Sequence, residues 1–518
     1  MSENAKILWA DDEIDLLRPY ILFLEEKGYK VETVNNGQDA IDQVQKIIFD
    51  IVILDENMPG IPGLETLEKI KTIYPNLPII MVTKSEEEAI MDNAIGSKIS
   101  DYLIKPVNPN QLLLSLKKNL ENKRLISEKV SMGYQQDFRH ISMAIDGRPD
   151  YAEWVDIYKK IIHWELELDK SGDEGLNEIL KNQKEEANKQ FCNFYEANYQ
   201  DWVSGKSAKS PILSPSVMKN KVLPLLAGDE TIFMIIIDNL RFDQWKMLQP
   251  LFEEYFHVAD ESIYYSILPS CTQYSRNALF AGLMPSDIGQ LLPEYWVDDD
   301  EEGHKNQYEP DLIREQLKRN GKDVKFSYNK VLNFNYGKKL QENVSNFFSN
   351  KLNVIVYNFV DMLSHARTNV DFVKELAEDE SAYRSLTASW FEHSQLFELI
   401  KKIAEKKVKI VITTDHGSVK VTNPVRVTGD KSISTNLRYK IGRNMQYNPK
   451  EVFEMKAPGQ FHLPKVHLSS TFIYTRANDF FVYPNNYNHF ATYYKNTFQH
   501  GGISMEEILI PLITLTNK

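Results

Sequence analysis

Three apolar runs in the second half of this chain each end on an aspartate: Ile232 to Ile237 on Asp238, Val354 to Val360 on Asp361, and Val408 to Thr414 on Asp415. Continuous runs this rich in Val and Ile read as parallel strands buried on both faces, and open α/β sheets bind ligands just beyond the carboxyl ends of such strands. The three carboxylates are therefore expected to converge. Around them stand His365, four residues after Asp361, His416, directly after Asp415, and a late His500 in Gln499-His500-Gly501-Gly502-Ile503-Ser504. Three Asp and three His make two metal sites, and Thr272, in Pro269-Ser270-Cys271-Thr272-Gln273-Tyr274-Ser275-Arg276, adds a nucleophile.

Each of these residues alone has a plainer reading, since a single Asp after a strand is more often a turn or helix cap and a single His a satisfied polar residue. As a set they are more specific. Asp361 and His365 share one face if a helix begins there, and Asp415-His416 sits on a turn where neighbouring side chains can splay toward one centre. Thr272 lies just ahead of Ser275 to Ala281, which looks helical, so its hydroxyl is expected at a helix amino terminus, where a phosphate belongs. Mixed oxygen and imidazole ligands suit Zn²⁺, with Mn²⁺ the weaker alternative. Two ions about 4 Å apart can clamp the attacking and leaving oxygens of an in-line phosphoryl displacement. A free Thr hydroxyl is a poor nucleophile at neutral pH, which is why a metal is needed.

Composition narrows the field. At 518 residues several domains are expected, and 42% hydrophobic with 11% aromatic residues is enough for real cores. No stretch approaches the roughly 20 apolar residues of a membrane span, and the start runs directly into a strand rather than a signal peptide, so a soluble, cytoplasmic protein is expected. Cys192 and Cys271 are the only cysteines and fall in different expected domains, which leaves no disulfide framework and no Cys-rich zinc site. A net charge of −13 argues against general duplex-DNA binding through phosphate neutralisation. Locally the balance reverses: Lys420 to Lys465 holds nine Lys or Arg against three acids, in an insert that separates His416 from His500. Charge runs are usually solvated surface. Here Arg438, Lys440 and Arg443, interleaved with Tyr439 and Tyr447, are expected to bind the phosphates and bases of an oligonucleotide substrate.

The chain reads as α/β in three parts. Residues 1–121 alternate short strands (Lys6 to Ala10, Phe49 to Leu54, Pro78 to Val82, Asp101 to Ile104) with amphipathic helices, a doubly wound pattern. Residues 122–208 lose the strands and repeat apolar residues at three and four, as in Tyr151, Trp154, Val155 and Tyr158, so a small helical bundle linker is expected. From 209 to 518 the βα alternation returns. In the first part Asp11, Asp12, Asp55, Thr83 and Lys105 all sit at strand carboxyl ends, where three carboxylates call for a hard cation such as Mg²⁺. Asp55 can then attack a phosphoryl donor, with Lys105 pairing the acyl phosphate and Thr83 bonding a phosphoryl oxygen.

These residues, with Asp55-Glu56-Asn57-Met58-Pro59-Gly60 and Asp101-Tyr102-Leu103-Ile104-Lys105-Pro106, resemble the receiver domain of two-component response regulators over residues 4–121. The resemblance implies a flavodoxin-like sheet, phosphorylation of Asp55 by a sensor histidine kinase, the Asn57 main chain as a further Mg²⁺ ligand and Tyr102 as the switch aromatic. It also implies dimerisation through the fourth and fifth helices on phosphorylation.

Further on, Pro-Ser-Cys-Thr272, Asp361-x-x-x-His365, Thr-Thr-Asp415-His416-Gly417 and His500-Gly-Gly-Ile-Ser-Met-Glu-Glu-Ile-Leu-Ile-Pro511 resemble the alkaline phosphatase superfamily, especially its nucleotide pyrophosphatase/phosphodiesterase-like members and the bacterial PglZ branch. Carried over, Asp238, Thr272, Asp415 and His416 hold one zinc, and Asp361, His365 and His500 the other. Cys271 is followed by Thr-Gln-Tyr, not by the Pro-x-Arg of sulfatases, so it reads as a packed neighbour of Thr272. A receiver joined through helices to a PglZ-type domain is similar to response regulators associated with type IX secretion. That implies control of secretion and gliding, contact with an extracytoplasmic-function sigma factor, and hydrolysis of cyclic or linear oligonucleotide phosphodiesters. No helix-turn-helix output domain is evident. The rival readings are an interaction module with structural metals and a phosphomonoesterase or phosphomutase. The intact Thr272 favours an enzyme, because a scaffold needs ligands but no nucleophile.

Overall fold

The computed structural model describes residues 5–74, 77–84, 99–298, 304–369, 379–429, 433–465 and 470–518, leaving aside the side chains of 121–128 and 366–369. The chain divides into two compact units, Met1–Asp137 with Glu167–Leu176, and Phe138–Leu166 with Asn177–Lys518, each taken by itself below.

In the first unit the strands are β1 (Lys6–Ala10), β2 (Lys30–Val34), β3 (Ile51–Asp55), β4 (Ile79–Thr83) and β5 (Asp101–Ile104), all parallel and ordered β2-β1-β3-β4-β5. β3 and β4 are buried at every position because helices cover both faces, and their carboxyl ends carry Asp55 and Thr83. The helices are α1 (Arg18–Glu26), α2 (Gly37–Lys46) and α3 (Gly63–Ile73). α2 starts where the Asn36 side chain accepts the Asp39 amide at 2.8 Å, a cap worth about 1 kcal/mol. The fourth helix expected of a receiver falls largely outside the described residues.

The next helix, α4 (Pro109–Asp146), starts well before the bundle expected at residue 122. Leu112, Leu116 and Leu120, spaced by four, are buried in the receiver core, and nothing breaks the helix before Gly147. α5 (Tyr151–Ser171) and α6 (Glu174–Val203) follow, separated at Gly172, whose φ of +70° suits glycine.

The second unit is built on β6 (Thr231–Ile237), β7 (Phe256–Tyr265), β8 (Phe326–Val331), β9 (Leu352–Tyr357) and β10 (Val408–Thr413), completed by a terminal strand. Between β10 and that strand, the insert forms β11 (Val419–Lys420) paired with β17 (Phe498–Gln499), β12 (Asn423–Arg426) paired with β16 (Asp479–Val482), and a sheet of β13 (Tyr439–Gly442), β14 (Phe453–Met455) and β15 (Thr471–Tyr474). The terminal strand, β18 (Leu509–Asn517), gives the main sheet the order β7-β18-β10-β6-β9-β8. β8, β9, β6 and β10 run parallel, while β18 and β7 are antiparallel. The three aspartate-ended runs are thus neighbours, β10-β6-β9. One detail differs from the sequence expectation: β9 stops at Tyr357, and Asp361 lies in the first turn of a helix, Phe359–Asn369.

Candidate functional site

In the first unit, ligand atoms of Asp11, Asp12 and Asp55 lie within 4.8 Å of one another. Lys105 Nζ bridges two of them, 2.8 Å from Asp11 Oδ2 and 2.9 Å from Asp55 Oδ1. Burial raises the Asp55 pKa, with Asp11 adding repulsion and Lys105 opposing. For Lys105, burial opposes the charge, but bonds to Asp11 and Asp55 outweigh it and raise the pKa. Thr83 donates to the Glu56 carboxylate and is bonded to the Tyr102 hydroxyl, while Asn57 follows β3 on an exposed loop. The donor set is all hard oxygen, which suits Mg²⁺.

In the second unit two clusters meet at the carboxyl end of the sheet. Asp238, Asp415 and His416 offer ligand atoms within 4.8 Å of one another and are fully buried; so do Asp361, His365 and His500, of which His365 is the exposed member. The second cluster is joined by His365 Nε2 at 3.5 Å and His500 Nε2 at 3.8 Å from Asp361 Oδ1. The His416 and His500 rings stack at 4.1 Å. Thr272 is the first residue of a helix, Thr272–Ala281, and its Oγ lies 3.1 Å from His416 Nε2. His416 Nδ1 lies 3.1 Å from the Gly417 carbonyl, which leaves Nε2 as the ring nitrogen turned toward Thr272.

Elementary electrostatics says which groups this site can hold. Asp238 Oδ1, Asp361 Oδ1 and Asp415 Oδ2 are buried and accept no hydrogen bond. Burying such groups unpaired is costly, and divalent cations at the two clusters would relieve it. Burial, with repulsion from Asp238, pushes Asp415 up to about 6 and also raises Asp361. Burial, with His416 and His365, pushes His500 well down, which keeps its imidazole neutral and able to ligate. The residues therefore fit two zinc ions, with mixed carboxylate and imidazole donors at each.

Sequence reasoning passed over Arg276. It lies four residues after Thr272 on the same helix face, and its Nη1 is 2.8 Å from Asp238 Oδ2 and 3.7 Å from Asp415 Oδ1. Its Nε donates to Glu309 at 2.8 Å, and Tyr328 donates to the same carboxylate. Burial works against the Asp238 charge, but Arg276 and His416 hold its carboxyl below the usual range. The four-residue spacing was the available signal; the partner Glu309 is too distant in sequence to predict.

The basic insert requires a correction. Arg438 and Lys440 are not on a substrate-facing surface. Arg438 is fully buried, its guanidinium paired with Glu507 at 2.5 Å and donating to the Asp479 carbonyl. Lys440 is buried too, donating to Ser434 O at 2.8 Å with Nζ 4.7 Å from the Tyr483 ring centroid. β13 is covered on both faces, so Lys440 within it and Arg438 just ahead of it lie in the interior, where their partners hold them. Of the three, Arg443 alone is exposed.

Known proteins place the chain. The family model described as the response regulator receiver domain matches residues 7–117, that of the PorX response regulator linker domain matches 124–203, and that of the BREX system PglZ alkaline phosphatase-like domain matches 217–515, more than half of the chain. The chain therefore belongs to the PglZ family, in the PorX-like order of receiver, helical linker and PglZ domain. Over the receiver it is 35% identical across 129 residues to the transcriptional regulatory protein ZraR of Klebsiella oxytoca, covering 25% of this chain and 29% of that protein. It is 33% identical across 116 residues to ResD of Bacillus subtilis, covering 22% of this chain and 48% of ResD. The chain thus spans well under two thirds of these relatives' length. The solved structure of chemotaxis response regulator CheY4 of Vibrio cholerae is 33% identical, covering 22% of this chain and 98% of that one at a TM-score of 0.22. A receiver takes its phosphoryl group from a phosphodonor such as a histidine kinase. Among the described residues no helix is long and apolar enough to cross a membrane.

Proposed function

We propose that this protein is a response regulator whose output domain is a zinc-dependent phosphodiesterase acting on oligonucleotide-type, cyclic or linear phosphodiesters. One observation carries the reading: the Thr272 hydroxyl, at the first position of a helix, lies 3.1 Å from His416 Nε2 beside the two Asp/His clusters. Asp238, Thr272, Asp415 and His416 would hold one zinc ion, and Asp361, His365 and His500 the other. Bound there, zinc supplies positive charge that lowers the hydroxyl pKa and neutralises phosphoryl oxygens. Thr272 Oγ attacks phosphorus in line, its proton passing to solvent; a phosphorus–Oγ bond forms as the bond to the leaving oxygen breaks, and that oxygen takes a proton from solvent and departs as the alcohol. Water then cleaves the phosphothreonine ester and restores the hydroxyl. The helix amino terminus favours the anion during both steps. Arg276, pinned by Glu309, fixes the Asp238 carboxylate behind the nucleophile.

In the receiver, Asp11, Asp12, Asp55 and the Asn57 main chain would hold Mg²⁺ while Asp55 accepts phosphate from a sensor histidine kinase, and the phosphorylated chain dimerises. The match to the PorX linker supports a role in controlling type IX secretion, with a sigma factor as partner. With Arg438 and Lys440 in the interior, the oligonucleotide class rests on the family resemblance, so the test is a substrate panel with zinc. A small aryl phosphodiester and short oligonucleotides should turn over faster than an aryl phosphomonoester, and Thr272→Ala should lose roughly a thousandfold or more on each. Faster monoester cleavage would point to a phosphomonoesterase, and undiminished turnover by Thr272→Ala would remove the nucleophile.

A further inference from the structure

We propose that one face of the linker helix α6 positions the catalytic groups, setting the loop that bears Thr272 against the loop that bears His500; this rests on the phosphodiesterase reading above. Lys184, Asn188, Cys192, Tyr195 and Tyr199 follow one another at intervals of four, four, three and four, so they line one face, and all five are buried. The amino-terminal three hold the segment after His500. Lys184 Nζ lies 3.1 Å from Glu506 Oε1, and Asn188 Nδ2 donates to Glu506 Oε2 at 2.9 Å. Asn188 Oδ1 accepts the Met505 amide at 2.7 Å, and Cys192 Sγ donates to the Ile503 carbonyl at 3.2 Å.

The last two hold the segment before Thr272. Tyr195 donates its hydroxyl to Ser266 O at 2.9 Å, and the Tyr199 oxygen accepts the Leu268 amide at 2.9 Å. The two segments are then tied to each other, since Ser270 Oγ donates to Gly502 O at 2.8 Å and accepts the Gly501 amide at 3.2 Å. The third ligand loop hangs from the same frame. Ser266 Oγ donates to the Asp415 carbonyl at 2.7 Å, and a Cβ at Gly417 would lie 2.1 Å from Glu506 O. Thr272 and His500 are thus each a short backbone step from a group the helix grips, and Asp415-His416 is tied to that frame through Ser266 and Glu506.

None of the five helix residues belongs to the ligand clusters, so they are positioning residues. Their leverage is geometric: a misplacement of about 1 Å in a catalytic constellation can cost about a hundredfold in rate. The PglZ match begins at residue 217, after this helix ends, so the segment that defines the family does not by itself contain the frame of its own site.

The test uses the full-length chain with Asn188→Ala and Tyr199→Phe, and Lys181→Ala, an exposed position on the same helix, as control. On an aryl phosphodiester with zinc, each of the first two should lower kcat about tenfold with KM within about twofold, and Asn188→Ala should weaken zinc binding by titration about tenfold. In the metal-free protein, hydrogen exchange at the Leu268 amide should speed up about tenfold in Tyr199→Phe, and at the Met505 amide in Asn188→Ala, with the control unchanged. Wild-type exchange at both amides, or wild-type kcat and zinc affinity in both folded variants, would overturn the inference. If wild type itself cleaves no phosphodiester, the activity assignment fails, and the exchange measurement alone decides whether α6 holds the two loops.

Discussion

Arg438 and Lys440 are both buried cations, yet they stand in opposite electrostatic situations. Arg438 has a carboxylate, Glu507, which also accepts the Gly502 amide at 2.9 Å and so links Arg438 to the His500 loop. Removing one partner of a buried pair is expensive, so Arg438→Met should cost about 3–5 kcal/mol in urea denaturation. A loss below about 1 kcal/mol would contradict this burial cost. Lys440 has a carbonyl and a ring face but no carboxylate among its described contacts, and burial lowers its pKa to about 7. The sign follows: between about 7 and its ordinary value near 10.5 the unfolded chain binds the proton and the folded chain does not, so this group makes stability rise with pH across that window. Lys440→Met should therefore stabilise the protein most at or below pH ~7, with the gain shrinking toward pH ~10. Denaturant titrations at both ends check it, and a pH-independent difference would show that Lys440 keeps its charge inside. Neither burial was visible in sequence. Basic residues spaced with tyrosines look alike whether they face solvent or a carboxylate 69 positions away.

At the scale of elements, the legible part was the strands that end on the site's aspartates. Val/Ile runs at β6 and β10 stop on Asp238 and Asp415 because a carboxylate cannot continue a strand buried on both faces. The same logic overran at β9, where the apolar run continues through Phe359 and Val360 into a helix, so Asp361 is a helical residue. Thr272 was legible as a helix start, and Asp361 with His365 as a helical pair. The role of α6 was not legible, because its apolar and polar face residues are chosen by partners some 70 to 320 positions away. Loop-on-loop packing is equally hidden: Gly417 reads as a turn residue, yet its missing Cβ makes room for the Glu506 backbone. Gly417→Ala should lower stability by about 1–3 kcal/mol through that overpacking and reduce zinc binding with it. Thermal denaturation decides, and an unchanged midpoint would mean the loop yields freely.

For the whole molecule, the receiver and the PglZ domain were both readable because each gathers its chemistry at strand ends, where short motifs carry it. The receiver's part is tested with beryllofluoride, which should drive dimerisation of wild type by light scattering and leave Asp55→Ala unchanged. An Asp55→Ala chain that responds like wild type would place the acceptor elsewhere. The central claim concerns the other domain: three aspartates, three histidines and Thr272 form one two-zinc centre. Its most direct measurement is elemental analysis of purified full-length protein. The account predicts close to two zinc ions per chain, with a His365→Ala, His416→Ala double variant losing most of both; full metal content persisting in that variant would contradict it.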